Sequence, residues 1–446
     1  MPRSMFRTPG VLTAVALGVL VATAQAGGRP ETVLAELKQA HRQHLPAELL
    51  VQYLPGLSSA AHEAALAGVG GRFGERVSND LHRVSLPAGT DLSAAILALH
   101  AQPGVDFAEP NWVYRIDATP DDPYYTSNRL WGMLGDTSPL FQNQYGSQAA
   151  EAWDKGHTDC GKVMVVVIDQ GAQYKHPDLR RNYWVNSAED PDNGIDDDGN
   201  GFIDDTYGWD FAHDNKKIYD GPDDFHGTHV AGTIGASGDN GKGVVGVCWK
   251  MRLFNIKFLG GAGGSTANAI RSIDYVTDLK ARHNLDIVAI NASWGGGGYS
   301  QGLKKSIERA GKADIVFVAA AGNSAQNGDV NPHYPSSYDS PSILSVAAIG
   351  AGGALASFSN YGLVSVDIGA PGVAINSTLP DKGYGLLSGT SMAAPHVAGA
   401  IALYASSHPE VRKAADLKKA IMDTAIPTTS LAGKTVTGGR LDASGF

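Results

Sequence analysis

After about residue 126 the chain repeats one pattern: short apolar runs rich in β-branched residues, separated by stretches with helical spacing. The runs are 163–168, 253–258, 287–291, 315–320, 343–349 and 366–370, and the helical stretches are 229–234, 266–281, 303–311, 391–404 and 414–424. A run such as Val163-Met164-Val165-Val166-Val167-Ile168 has no polar face, so both of its sides must be covered. Strands of this kind alternating with helices predict an α/β fold, a mostly parallel sheet with helices on both faces. Ligands of such sheets bind beyond the C-terminal ends of the strands. Asp169 and Asn291 stand at such ends, and Asn323 lies just past one. The 55 glycines suit tight loops over a buried sheet, and no G-X-Y period or low-complexity tract suggests a fibre.

The stretch with the most chemistry is Gly389-Thr390-Ser391-Met392-Ala393-Ala394-Pro395-His396-Val397-Ala398-Gly399. Pro395 is tolerated early in a helix, so Ser391 is expected at a helix start beside unpaired amides. A serine there is ordinarily a cap. It becomes a candidate nucleophile because two other segments supply what a nucleophilic serine needs. Val163 to Ile168 delivers Asp169 at a strand end, and His226-Gly227-Thr228-His229-Val230-Ala231-Gly232 puts a histidine at the mouth of a small-residue helix.

These segments, with Ala321-Gly322-Asn323-Ser324, resemble the subtilisin-like serine proteases (subtilases) over nearly everything after residue 26. The resemblance implies a serine endopeptidase with Asp169, His226 and Ser391 as triad and Asn323 as oxyanion donor. It also implies that Gly263-Gly264-Ser265 and Ser293-Trp294-Gly295 flank the cleft as edge segments that bind an extended peptide. Trp294 and the Gly295–Gly298 run suggest an apolar, roomy neighbourhood. One departure is visible: Gln170 follows the aspartate, where the family usually has Thr or Ser. A catalytically inactive scaffold finds little support, since every triad position is filled. An esterase or lipase is disfavoured by the absence of Gly-x-Ser-x-Gly at the nucleophile.

Residues 1–26 read as a secretory signal peptide: Arg3 and Arg7, an apolar run from Val11, then Ala24-Gln25-Ala26. Residues 27–116 carry a β-α-β-β-α-β pattern that, in this position, resembles the family's inhibitory propeptide. Residues 117–125 read as a linker and 126–446 as the peptidase domain. Within Asp190 to Asp205, the residues Asp196, Asp198, Asn200 and Asp204 occupy positions one, three, five and nine of an EF-hand-like loop with Gly201 sixth, which suggests Ca²⁺. His226, His229 and His396 raise zinc as an alternative, set aside because the protease motifs account for them. Two cysteines rule out a disulfide scaffold. The resemblance makes the 163 and 253 strands neighbours, with Cys160 and Cys248 near their N-terminal ends, where an exported chain can oxidise the pair.

A formal charge of −10 without a basic block argues against nucleic acid. The expectation is an exported monomer without a membrane anchor, acting on protein and peptide substrates and held at first by its own propeptide. Self-cleavage is expected between about Tyr114 and Tyr125.

Overall fold

The computed structural model describes residues 30–38, 44–112, 118–261 and 263–446, so the signal-peptide reading lies outside the described residues. The chain divides into two compact units, Met1–Tyr114 and Arg115–Phe446.

In the first unit β1 (His44–Tyr53), β2 (Arg72–Ser78), β3 (Leu81–Ser85) and β4 (Val105–Trp112) form an antiparallel sheet in the order β2-β3-β1-β4. Helices Ser59–Ala67 and Leu92–His100 make the two crossovers. Leu49 and Val51 alternate inward from β1 and pack with Val84, Ile96 and Leu99. The second crossover helix starts at Asp91, whose carboxylate accepts the Ser93 and Ala94 amides. This is the split βαβ order expected from the sequence. The short helix Pro30–Leu37, which buries no residue, was not expected.

In the second unit six parallel strands form the body of the sheet. They are β5 (Asp159–Asp169), β6 (Lys250–Lys257), β7 (Ile287–Ala292), β8 (Val316–Ala320), β9 (Ile343–Ile349) and β10 (Ile368–Pro371). A hairpin of β11 (Ile375–Leu379) and β12 (Gly383–Leu387) stands apart. The two-residue strands β13 (Ile426–Pro427) and β14 (Gly439–Arg440) complete the order β13-β14-β10-β9-β8-β7-β5-β6, with β13–β14 the antiparallel pair. Strands β12, β13 and β14 carry glycine or proline and β11 reads Ile-Asn-Ser-Thr-Leu, so none of the four shows a continuous apolar run.

Side-chain alternation on β5 explains its wholly apolar composition. Val163, Val165 and Val167 enter one core while Met164, Val166 and Ile168 enter another. Helices Phe225–Gly235 and Thr390–Ser407 contribute to the first core, helices Thr266–Arg282 and Gln301–Lys312 to the second. Small residues let the first pair sit close. A Cβ on Gly232 would lie 2.2 Å from Thr378 Oγ1, and one on Gly399 would lie 2.7 Å from Val247.

Residues 118–125 differ from a free linker. Asp122 and Tyr125 are buried, Tyr124 N donates to Gly243 O, and Asp122 Oδ2 accepts Asp239 N. Their Asp and Pro content signals turns, but tertiary partners decide their burial. Cys160 and Cys248 form a disulfide with their Cα atoms 5.9 Å apart, joining the N-terminal ends of β5 and β6 across 88 residues. Closing a loop of that size contributes about 4.6 kcal/mol in the chain-entropy account.

Candidate active site

Asp169 ends β5 fully buried, paired in register with Lys257 at the end of β6. Its Oδ1 accepts the Gln170 amide and His226 Nδ1, each at 2.8 Å. Gln170 has no short hydroxyl to offer, and Asp169 Oδ2 has no hydrogen-bond partner among the described residues. The buried Lys257 ammonium binds Asp220 and Asp224, each at 2.7 Å. Asp224 immediately precedes the His226 helix, so this ion pair ties the helix start to the end of the sheet. Gly227 permits the approach, since a Cβ there would stand 2.1 Å from Gly171 O. Burial disfavours the His226 imidazolium, but the charge and hydrogen bond of Asp169 outweigh it and raise its pKa above the ordinary histidine value.

Ser391 lies in the first turn of the helix Thr390–Ser407, as its pattern predicted. Ser391 Oγ donates to Ser293 O at 3.0 Å, and Ser293 Oγ donates back to Ser391 O at 2.8 Å. Asn291 Nδ2 in turn donates to Ser293 Oγ. Among the described residues no hydrogen bond joins Ser391 Oγ to His226. Bonds of this type commonly tighten only when substrate binds.

Asn323 Oδ1 accepts Thr390 N at 2.9 Å and Thr390 Oγ1 at 3.0 Å. A backbone amide can only donate, so this contact fixes the orientation of the Asn323 amide and leaves Nδ2 facing away. A Cβ built on Gly389 would lie 3.5 Å from Asn323 Nδ2 and 3.6 Å from Ser391 N, so both donors border one small space. Thr390 was missed in the sequence, although its place before Ser391 was visible. Its hydroxyl also accepts Gly322 N at 3.1 Å.

The expected substrate segments divide. Ser293 belongs to the Ser391 network. Ser265 caps the helix Thr266–Arg282 by accepting Asn268 N, and Gly263 bridges Gly260. Gly264 packs where a Cβ would meet Phe258 at 2.6 Å. Trp294 turns inward: its indole donates to Ile168 O and meets Phe258 edge-on, so it does not supply the apolar neighbourhood expected of it. Gly295 is exposed. Beside Asp169 and His226 opens a trough of about 840 Å³, lined in part by Gln170, His213, Asp220, Phe225 and Leu259.

His229 and His396 do not join this site. His229 Nε2 meets the carbonyls of Ile375 and Gly385, and His396 Nδ1 meets that of Met392. Burial lowers each to about 4, so both are neutral.

The acidic loop is arranged differently from an EF-hand. Carboxylate oxygens of Glu189, Asp198 and Asp205 lie within 4.8 Å of one another. Asn200 Nδ2 donates to Asp198 and Asp205, and His283 Nε2 lies 2.9 Å from Asp198. Glu189 Oε2 is buried without a hydrogen bond among the described residues, which fits a hard divalent cation. Asp204 instead pairs with Lys216 at 2.9 Å, and Asp196 accepts the Asn200 and Gly201 amides. Loop backbone amides donate to all four expected side chains, and Lys216 in addition holds Asp204, while Asp198 converges with Glu189 and Asp205. Elsewhere Asp122 and Asp178 are buried without an ion pair among the described residues. Asp122 Oδ1 and Asn240 Oδ1 have no hydrogen bond there. Burial, joined by the charges of Asp178 and Asp121, pushes the Asp122 carboxyl up to about 7.

Comparison with known proteins agrees with this geometry. The profile of the Subtilase family matches residues 161–444, and that of the Fervidolysin N-terminal prodomain matches residues 30–111. The chain is 33% identical over 406 residues to a thermophilic serine proteinase of Bacillus sp. (strain AK1), covering 89% of this chain and 86% of that protein. It is 34% identical over 311 residues to thermitase of Thermoactinomyces vulgaris, covering 69% and 91%. A solved protease structure from Pseudoalteromonas arctica superposes with a TM-score of 0.55 at 27% identity, over 73% of this chain and 98% of that one.

The histidines provide a direct check of the electrostatics. An NMR titration should place His226 above the ordinary value of about 6.5, while His229 and His396 titrate near 4. Asp169→Asn should lower His226. A His226 that titrates below the ordinary value in the wild type contradicts the pairing. Any step needing neutral His226 should fade as pH falls through its raised pKa.

Proposed function

We propose an exported, self-maturing endopeptidase activity for this chain, which belongs to the subtilase family of serine proteases and carries an N-terminal prodomain. The observation that carries the reading is the space shared by Asn323 Nδ2 and Ser391 N, next to a serine hydroxyl and on the same sheet edge as the Asp169–His226 pair. Ser391 Oγ attacks the peptide carbonyl, and His226 takes its proton and later delivers it to the leaving amine. Asp169 holds the imidazole through Nδ1 and stabilises its cation. The oxyanion forms where the two N–H donors meet. Gly263, Gly264, Ser265, Ser293, Trp294 and Gly295 belong to segments that hold the substrate backbone as an added strand.

The domain boundaries follow from this reading: signal peptide 1–26, propeptide 27–116 and peptidase from 126, with 118–125 packed on the peptidase unit. Export is supported by the apolar segment within residues 1–26 and by a 33% identical relative named as the extracellular basic protease of Dichelobacter nodosus. No helix among the described residues is long and apolar enough to cross a membrane. The propeptide inhibits its own chain until it is cut away, between about Tyr114 and Tyr125. N-terminal sequencing of secreted wild type beside Ser391→Ala, in a host lacking other proteases, tests function and maturation together. The wild type should begin within that window and the variant should keep residue 27. Trimming of both at one bond refutes self-processing.

Calcium fits Glu189, Asp198 and Asp205, with Asn200 beside them; a second position is supported by Asp122, Asp178 and Asn240. Bound there, the cation neutralises clustered carboxylates and stabilises the native state, by about 2.7 kcal/mol at a hundredfold excess over Kd. Chelation should lower Tm. Asp205→Ala should reduce the calcium bound per chain by one, whereas Asp204→Ala should not. A melt indifferent to EDTA, with no calcium co-purifying, contradicts the assignment.

A further inference from the structure

Asn323 can receive an oxyanion only if the loop that carries it is rigid, and that loop is bent against its own preferences. It leaves β8 at Ala320 and turns through Gly322 at φ 103° and Ala325 at φ 56°. Alanine rarely takes the left-handed conformation, which persists only where surrounding contacts over-determine it. One residue, remote in sequence, supplies contacts on both sides of Asn323. Asn360 Oδ1 accepts Ser324 N and Gln326 N, each at 3.0 Å. Asn360 Nδ2 donates to Ala321 O at 2.9 Å, and Asn360 N donates to Gly322 O at 2.9 Å. The fit is close: a Cβ built on Gly322 would stand 2.4 Å from Asn360 Nδ2.

The chemistry of these bonds asks for a carboxamide. Backbone amides can only donate and a carbonyl can only accept, so one short side chain must offer two lone pairs and a donor at once. Asn360 is 2% exposed, so little water competes for these bonds. It is held in turn from the sheet. Ser359 Oγ accepts Ala348 N of β9 at 3.0 Å and donates to Asn360 O at 2.9 Å. The path from β9 through Ser359 and Asn360 to the loop is continuous.

We propose that Asn360 is a positioning residue for the reaction: it fixes the backbone on either side of Asn323 so that Asn323 Nδ2 stays beside Ser391 N. Asn360 itself touches no reacting atom. Thr390 holds the end of the Asn323 side chain, and Asn360 holds the backbone from which that side chain grows. Both ends are needed, because a donor displaced by about 1 Å can lose about a hundredfold in rate. This assignment rests on the endopeptidase reading and its use of Asn323.

The test is a double-mutant cycle on mature enzyme with a peptide p-nitroanilide: wild type, Asn360→Ala, Asn323→Ala and the double variant. Asn360→Ala alone should lower kcat about tenfold or more with KM nearly unchanged. In the Asn323→Ala background the same substitution should change kcat by less than about twofold, since no donor remains to be aimed. A merely structural role would lower both backgrounds alike, and equal losses overturn the inference. So does a folded Asn360→Ala with wild-type kcat. Amide exchange in the full chain carrying Ser391→Ala decides the matter if Asn360→Ala does not fold. Ser324 and Gln326 lie outside every strand and helix, yet their amides should exchange slowly; fast exchange at either overturns the inference. If wild type cleaves no faster than Ser391→Ala, the endopeptidase reading itself falls, and this assignment with it.

Discussion

The site depends on how the start of one buried helix is pinned to the ends of two strands. Ser293, just past β7, exchanges hydrogen bonds with Ser391, and Asn323, just past β8, accepts the Thr390 amide and hydroxyl. A helix start has amides without intrahelical partners. Here Thr390 N is satisfied by a side chain from the sheet edge, while Ser391 N is left facing the space that Asn323 Nδ2 also borders. One contact thereby both caps the helix and aims a donor.

The opposite side of the site is held by charge. Lys257 is almost wholly buried and would be costly without partners, so its pairing with Asp220 and Asp224 is strongly enforced. Because Lys257 and Asp169 are register partners at adjacent strand ends, the same ion pair sets the height of the His226 helix relative to Asp169. The glycines at 171 and 227 then allow strand end and helix to meet at backbone distance. Electrostatics and close packing converge on a single His–Asp hydrogen bond.

Much of this was legible in the sequence. Wholly apolar runs such as 163–168 reveal two-sided burial, and the structure divides their alternate residues between two cores. The segments around Asp169, His226, Asn323 and Ser391 are local motifs whose glycines and alanines encode close approach. What escaped depends on long-range partners. Glu189 and Asp205 gather with Asp198 from positions outside the EF-hand spacing, while Lys216 holds Asp204, which no spacing rule anticipates. Trp294 looked like a pocket wall, yet a carbonyl at the end of β5 turns it inward.

The central claim is that the pinned Asn323 amide receives negative charge as Ser391 attacks. Steady-state kinetics of Asn323→Ala on a peptide substrate tests it most directly. Removal of one such donor in a bacterial subtilisin costs about 10²–10³ in kcat, and the same loss is predicted here, with KM nearly unchanged because the donor acts on the transition state. A folded variant with wild-type kcat, or one whose only defect is a raised KM, would contradict the account.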